Sequence, residues 1–259
     1  MSRSHQEQIV DQFTRQAIPF AKLPGHLDAL DLLLQMAQPD RSDTVLDVAC
    51  GPGLVACVVA PRAGRVTGID ITPAMIEQAR KRQQEQGLDN LDWVVGDALP
   101  LPWPDNSFSL VITRYSFHHF HEPGRVLAEM VRVCRPGGRV LVADVAMDPA
   151  KVAAYDRLEL IRDPSHTHAL TTAEFAALFL NSGLTDCRQA DYGVELGLEA
   201  QLAASFPAPG GRELLREMVT ADIGIDALGI NARHGDDGVR YTVPIGVFTG
   251  RKEGQACRK

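Results

Sequence analysis

Short apolar runs, three of them ending at the acids Asp47, Asp70 and Asp97, alternate with turns and helix-like stretches and set the rhythm of the chain from Val45 to Thr113. Val45, Leu46 and Val48 read as a buried strand, Gly51-Pro52-Gly53 as the turn after it, and an apolar helix starts near Leu54. Arg65 to Ile69 is the next strand and ends in Asp70. Thr72 then caps a helix with Pro73 in its first turn, Met75, Ile76 and Ala79 on its apolar face, and Arg80, Lys81 and Arg82 on a solvated face that runs to Gly87. Trp93 to Val95 forms a third strand, Pro100 to Asn106 a proline-rich loop, and Phe108 to Thr113 a fourth strand. This alternation predicts an α/β fold with a doubly wound, mostly parallel sheet.

The flanks carry weaker signals. Val10 to Phe20 and the periodic Leu27 to Met36 predict one or two helices before the first strand. Downstream, Pro149 to Ile161 reads as a helix broken at Asp163-Pro164, and Thr171-x-x-Glu174 is a capping box opening a helix that stops before Gly183. The stretch between them, Arg162 to Phe175, reads as a small helical insertion. A strand from Thr185 to Tyr192 and two short helices follow. The terminal strand, Tyr241 to Thr249, is expected to pair antiparallel at the sheet edge, where Pro244 costs no ladder bond. The expected organisation is one domain over 1–259: a helical cap (1–40), a core (41–147), and helices and strands beside the site (148–259).

Composition narrows the function classes. With 259 residues, 45% of them hydrophobic and 23% charged, the chain suits one large globular domain. A net charge of −7 disfavours a partner chosen by phosphate electrostatics, so nucleic acid is not expected. Thr113-Arg114-Tyr115-Ser116 at the exit of the fourth strand also lacks the Asn/Asp-Pro-Pro-aromatic run of amino-methylating DNA enzymes. The cysteines Cys50, Cys57, Cys134, Cys187 and Cys257 form no C-x-x-C pair, which indicates neither a disulfide framework nor a zinc site. The polar start MSRSHQEQIVDQF is no signal peptide, and no apolar stretch reaches the length of a membrane span. The expectation is a cytoplasmic protein without membrane insertion, a monomer or a homodimer.

The chemistry concentrates at the strand ends. Gly51, Gly53 and Ala56 satisfy the dinucleotide fingerprint G-x-G-x-x-A, which keeps an NAD(P)-dependent oxidoreductase as an alternative. Asp47 argues against it. An acid beside a pyrophosphate costs about 1 kcal/mol even in water and more when buried, whereas the ammonium and sulfonium of S-adenosylmethionine suit it; the other reading of Asp47 is a helix cap. Asp70, about 20 residues past the glycine turn, stands where a carboxylate accepts both ribose hydroxyls of an adenosyl group. Asp97 would accept from the adenine amino group, with Ala98 and Leu99 giving a backbone donor and an apolar wall. Ile71 and Met75 complete the cofactor side, Met75 being equally readable as core.

With these motifs in place, the chain resembles the class I S-adenosylmethionine-dependent methyltransferases, in the group that includes the ubiquinone/menaquinone C-methyltransferases, over about Phe13 to Leu184. The family's acid-x-Gly-x-Gly-x-Gly motif is matched by Asp47, Gly51 and Gly53, while Ala49 replaces its first glycine. Asp70 and Asp97 match its ribose and adenine acids, and Cys134 to Asp144 resembles its helix, turn and fifth strand. The resemblance implies a Rossmann-like fold, S-adenosylmethionine as cofactor, and methyl transfer to a small organic acceptor. A quinone ring is the alternative acceptor within the family, and a cofactor-binding protein without catalysis the alternative outside it.

Methyl transfer asks mainly for alignment and exclusion of water, plus a base where the acceptor must lose a proton. Tyr115-Ser116-Phe117-His118-His119-Phe120-His121 follows the fourth strand directly. His118 or His119 is the candidate base; the other reading is that these histidines cap the next helix or pack beneath the loop. Arg114 and Tyr115 are placed against the cofactor or the acceptor, and a metal is not expected at the histidine run. His166 and His168 are candidates for the acceptor pocket. Phe13 is either a lid residue over the cofactor or part of a helix packed on the sheet.

Overall fold

A computed structural model describes residues 4–20 and 29–254; Leu27 and Cys257 lie outside them. The sheet runs in the order β3-β2-β1-β4-β5-β8-β6, with β7 paired to β8. Its strands are β1 (Thr44–Val48), β2 (Arg65–Asp70), β3 (Leu91–Val95), β4 (Phe108–Arg114), β5 (Cys134–Val145), β6 (Leu184–Gly197), β7 (Arg233–Gly235) and β8 (Gly238–Lys252). β1 to β5 are parallel to one another, and β8 is antiparallel to both β5 and β6. The sequence of strands steps outward from β1 to β3, then returns to add β4 and β5 on the other side. That reversal opens a crevice at the carboxyl ends of β1 and β4.

The apolar runs of β1, β4 and β5 bury both faces. Leu46, Val48, Val111, Val140 and Val142 pack on one side with Val126, Leu127, Met130 and Val133 of α5 (Pro123–Val133) and Phe175 and Phe179 of α7 (Thr172–Asn181). Val45, Leu110, Ile112, Leu141 and Ala143 pack on the other with Leu33, Leu34 and Ala37 of α2 (Leu30–Ala37) and Val55, Ala56 and Val59 of α3 (Leu54–Val59). Each of the larger side chains contributes roughly 1.5–3 kcal/mol when fully buried, and the period of two along the strands distributes the strand residues between the layers. A third cluster extends the sheet: Val145, Val194, Val243 and Ile245 meet Tyr155 and Leu158 of α6 (Val152–Arg162), Leu198 and Leu202 of α8 (Leu198–Ala203), and Leu215 and Val219 of α9 (Gly211–Ala221).

Several boundaries differ from the sequence expectation. α1 spans His5–Phe20 and begins five residues before the expected Val10, because Ser4 and Glu7 form a reciprocal cap: the Glu7 carboxylate accepts from Ser4 N–H at 2.7 Å and Ser4 Oγ from Glu7 N–H at 3.3 Å. α6 starts at Val152 rather than Pro149, since Asp148 first turns the chain by accepting from Ala150 N–H. Thr72 precedes α4 (Pro73–Glu85), but its hydroxyl makes no capping bond; the Asp70 carboxylate holds Thr72 N–H at 2.8 Å instead. The capping box of Thr171 and Glu174 is present as expected.

The terminal strand is the main correction. β8 is antiparallel, as expected, but it lies inside the sheet between β5 and β6, so the edge on that side belongs to β6. Pro244 is tolerated because it faces the place where β5 has ended: the last β5 pair is Val145 with Ile245, and the Pro244 carbonyl takes Ala146 N–H at 3.1 Å. β6 runs to Gly197 rather than Tyr192, the pairing with β8 continuing from Gly193 opposite Pro244 to Gly197 opposite Arg240 while Val194 packs into the third cluster.

Candidate functional site

A cavity of about 370 Å³ opens at the carboxyl ends of β1 to β4. Asp47, Ala49 and Gly51 reach it from the end of β1, Asp70 and Ile71 from β2, Asp97, Ala98 and Leu99 from β3, and Arg114 and Tyr115 from β4. Met75 lines it from α4 while being fully packed, which joins the two readings of that residue. Phe13 lines it from α1, which forms a roof: Gln6 donates to Asp97 Oδ2 at 2.5 Å, and the His5 ring lies 2.8 Å from the His119 carbonyl. The Phe13 ring meets His119 edge-on at 5.0 Å between centroids.

Gly53 stands outside the lining. A Cβ there would lie 2.6 Å from the Trp93 ring and 3.0 Å from Ala79 Cβ, and its φ of +75° opens α3. Glycine at this position is a packing requirement. Gly51 is the opposite case, with a φ of +51° and no atom within 4 Å of where its Cβ would be, so the bare backbone faces the cavity. Ala49 and Tyr115 carry left-handed φ values of 52° and 58°; such backbone strain in residues with a side chain collects at functional sites.

The carboxyl groups of Asp47 and Asp70 are buried and engaged with backbone. Asp47, 1% exposed, accepts from Ala56 N–H at 3.0 Å, and burial with Asp70 nearby pushes its pKa up to about 8 despite that bond and Arg114. The same carboxylate steadies the first turn of α3, as the capping reading expects, and lines the cavity. Asp70 takes Gly51 N–H at 2.9 Å and Thr72 N–H, and burial raises its pKa also. Asp97 is half-buried and accepts Leu99 N–H at 3.2 Å, so the Leu99 donor expected for an adenine is already used within the turn. Arg114 donates to the hydroxyls of Tyr115 at 2.7 Å and Tyr192 at 3.2 Å, its guanidinium 4.3 Å above the Tyr115 ring.

A second cavity of about 90 Å³ adjoins the first, and Phe13, Tyr115 and His119 line both. His118 belongs to the second one. Its Nδ1 lies 2.6 Å from Asp144 Oδ1; burial opposes the imidazolium, but Asp144 and Glu159 outweigh it and raise the pKa. His119 goes the other way. Its Nδ1 donates to the Ser165 carbonyl at 3.0 Å, and burial beside His118 holds it neutral, well below the usual range. His166 and His168 reach neither cavity; both clasp Asp156, at 2.7 and 2.8 Å. Asp144 was the site residue without a role in the sequence reading, although it ends β5 in the same way that Asp47 and Asp70 end or follow their apolar runs. Glu159, Arg162, Tyr155, Gln201 and Tyr241 of the second cavity gave no sequence signal, as they come from α6, α8 and β8 and meet only after folding.

Residues 46–142 match the family described as methyltransferase domain. An uncharacterized methyltransferase of Bacillus subtilis, YcgJ, is 34% identical over 152 residues, 58% of this chain and 60% of that protein. The demethylmenaquinone methyltransferase of Thermus thermophilus is 37% identical over 123 residues, 47% of this chain and 54% of that one. The chain thus aligns with between half and three fifths of the length of these relatives. The crystal structure of YcgJ superposes with a TM-score of 0.79 at 23% identity, covering 87% of this chain and 98% of the other, which shows the shared fold. These likenesses, together with three acids ending or following β1, β2 and β3, favour the S-adenosylmethionine reading of the glycine turn over the dinucleotide one: residues 46–142 match a methyltransferase domain, and the chain is similar to methyltransferases on either side of it.

Proposed function

We propose that the protein transfers a methyl group from S-adenosylmethionine, held in the larger cavity, to a small organic acceptor held in the smaller one. The observation that carries this reading is the meeting of the two cavities across Phe13, Tyr115 and His119, beside a row of carboxylates suited to a cationic donor. Asp47 is the partner for the ammonium, Asp70 for the ribose hydroxyls, and Asp97 with Ala98 for the adenine, while Gly51 gives the backbone room to approach. Ala49, Ile71, Met75 and Leu99 supply walls, and Arg114 and Tyr115 close the side toward the acceptor. α1 with Phe13 covers the site and excludes water.

None of the described helices is long and apolar enough to cross a membrane. The thiols without C-x-x-C spacing support a cytoplasmic location, and the acidic balance supports a small-molecule acceptor over nucleic acid.

Calorimetry with S-adenosylhomocysteine beside NADH tests the reading. S-adenosylhomocysteine should bind and NADH should not; the reverse preference would overturn it. Asp70→Ala should weaken the former by about 2 kcal/mol, because buried hydroxyls lose a charged acceptor.

A further inference from the structure

The smaller cavity constrains the acceptor by size, charge and hydrogen bonding, and each constraint is independent of the others. Its volume is about 90 Å³. An engineered cavity that takes one benzene measures about 150 Å³, and pockets for drug-sized ligands begin near ~300 Å³. A single ring reaching through the shared wall into the larger cavity uses the space available, and an isoprenoid tail does not fit.

The charge around it is acidic. Glu159 and Arg162 neutralise each other in a bidentate pair with bonds of 2.9, 2.9 and 2.5 Å. Asp163 also lines the space, and Asp144 stands behind His118. A carboxylate acceptor would be repelled, and an amine would be held as ammonium, with no lone pair to offer. The polar side chains that remain are hydrogen-bonding ones: Tyr155 and Tyr241 line the wall, and Gln201 Oε1 is buried without a partner. An acceptor with O–H donors answers that oxygen.

His118 is placed to take the proton of such a hydroxyl. Asp144 holds its Nδ1 and is itself fixed by Phe117 N–H at 2.6 Å and Val145 N–H at 2.7 Å, so the ring is oriented with Nε2 left for the cavity it lines. The groups that face this ring are Asp144 from β5, Glu159 and Arg162 from α6, His119 beside it in the chain, and His166, whose ring centroid is 5.7 Å away.

We propose that the acceptor is a small, uncharged, untailed hydroxyl compound of the phenol or enol type, with His118 as the base and Asp144 as the residue that positions it. The proposal rests on the methyl-transfer reading above and adds the acceptor class. In the step, the O–H bond breaks and its proton passes to His118 Nε2. The oxygen's electron pair forms the bond to the methyl carbon, and the pair of the broken S–CH3 bond stays on sulfur. The products are a methyl ether and S-adenosylhomocysteine, and the imidazolium returns one proton to water.

The test is methyl-tritiated S-adenosylmethionine with the full-length protein and five probes: phenol, catechol, a dodecyl catechol, benzoate and benzylamine. Ether formation with phenol or catechol alone is expected. Transfer to the tailed, carboxylate or amine probe, or a ring-methylated product, would overturn the proposal. So would no transfer to either small phenol while S-adenosylhomocysteine still binds by calorimetry. Lack of that binding would remove the methyl-transfer reading itself, and this one with it. With the accepted probe, His118→Gln should lower kcat on the order of 100-fold with KM nearly unchanged and abolish the acidic limb of the pH profile. Added imidazole should restore part of the rate in His118→Ala, and Asp144→Asn should move the limb to lower pH; a limb unmoved in every variant would exclude His118 as the base.

Discussion

Nδ1 of His118 lies 2.6 Å from Oδ1 of Asp144, whereas Nδ1 of His119, one residue on, gives its proton to the Ser165 carbonyl at 3.0 Å. The adjacent rings, 4.2 Å apart between centroids, are driven to opposite protonation behaviour by their surroundings. At His118 the Asp144 carboxylate outweighs burial, whereas at His119 burial and the neighbouring His118 outweigh Asp163 and the Ser165 carbonyl, which both favour the imidazolium.

The first prediction concerns stability against pH. The pair raises His118 above its ordinary 6.5 and lowers Asp144 below its ordinary 3.8, in each case against the opposing effect of burial. A raised histidine adds stability that is complete below 6.5 and is lost as pH climbs through the folded value. A depressed carboxylate adds stability that is complete above 3.8 and is lost as pH falls through its own folded value. Between those limits the pair contributes in full. His118→Gln should therefore lower the urea midpoint more at about pH 5.5 than at about pH 9. Equal losses at the two pH values would mean that the pair is not charged in the fold.

Asp47 gives a second test, this one of binding. With its pKa at about 8, the carboxyl is mostly protonated at neutral pH in the free protein. A cation seated beside it would draw the pKa down and release that proton. Titration of S-adenosylhomocysteine at pH 7 in buffers of different ionisation enthalpy should show about one proton released for each molecule bound. Asp47→Asn should release close to none and bind more weakly. Release of a full proton by the Asn variant would move the ammonium site elsewhere. The sign also fixes the behaviour of the free protein: the folded state holds more protons than the unfolded one between 3.8 and about 8, so this group removes stability as pH rises across that range.

The sheet and the larger cavity were legible in the chain because both depend on local pattern. Leu46 and Val48 alternate with Val45 and Asp47, and an acid closing or following an apolar strand marks the rim of a parallel sheet. β8 was misplaced for a physical reason. Pro244 reads as an edge residue, yet an interior strand tolerates proline where its neighbour has ended, and the end of β5 at Val145 is a tertiary fact. The start of α1 was missed although Ser4-x-x-Glu7 carries the capping-box signature. The second cavity was illegible in a stronger sense: Glu159, Gln201 and Tyr241 are about 40 residues apart and join only when α6 and α8 pack on the extended sheet. The histidine run could be placed beside the strand ends from the chain alone, but telling His118 from His119 needs Asp144 and Ser165, which neither spacing nor composition connects to them.

The two turn glycines should fail differently, which is the third prediction. Gly51→Ala puts a methyl group into open cavity at a φ of +51°. It should weaken S-adenosylhomocysteine at least about tenfold, or ~1.4 kcal/mol. Gly53→Ala forces a methyl group to within 2.6 Å of Trp93 at a φ of +75°. Left-handed strain and overpacking together should cost about 2–4 kcal/mol of stability, read as a lower denaturation midpoint, with the affinity of the folded fraction little changed. If Gly53→Ala lost affinity at full stability, Gly53 would belong to the binding surface after all.

Ala49 supplies the last prediction, since it stands where the family's motif has its first glycine and its φ of 52° shows why glycine is the residue used there. An alanine held in the left-handed region costs about 1–2 kcal/mol through the contact of its Cβ with the carbonyl. Glycine would remove that strain but would add freedom to the unfolded chain, an opposing effect of about 0.4–1 kcal/mol. Strain is the larger of the two, so Ala49→Gly should gain about 0.5–1 kcal/mol, seen as a rise of about 2 °C in Tm. Ala49 lines the cavity, so the lost methyl group also removes a wall contact from a bound ligand. The variant should therefore gain more in the free protein than in the complex with S-adenosylhomocysteine. A fall in Tm without ligand would show that the alanine methyl group packs better than its backbone is strained.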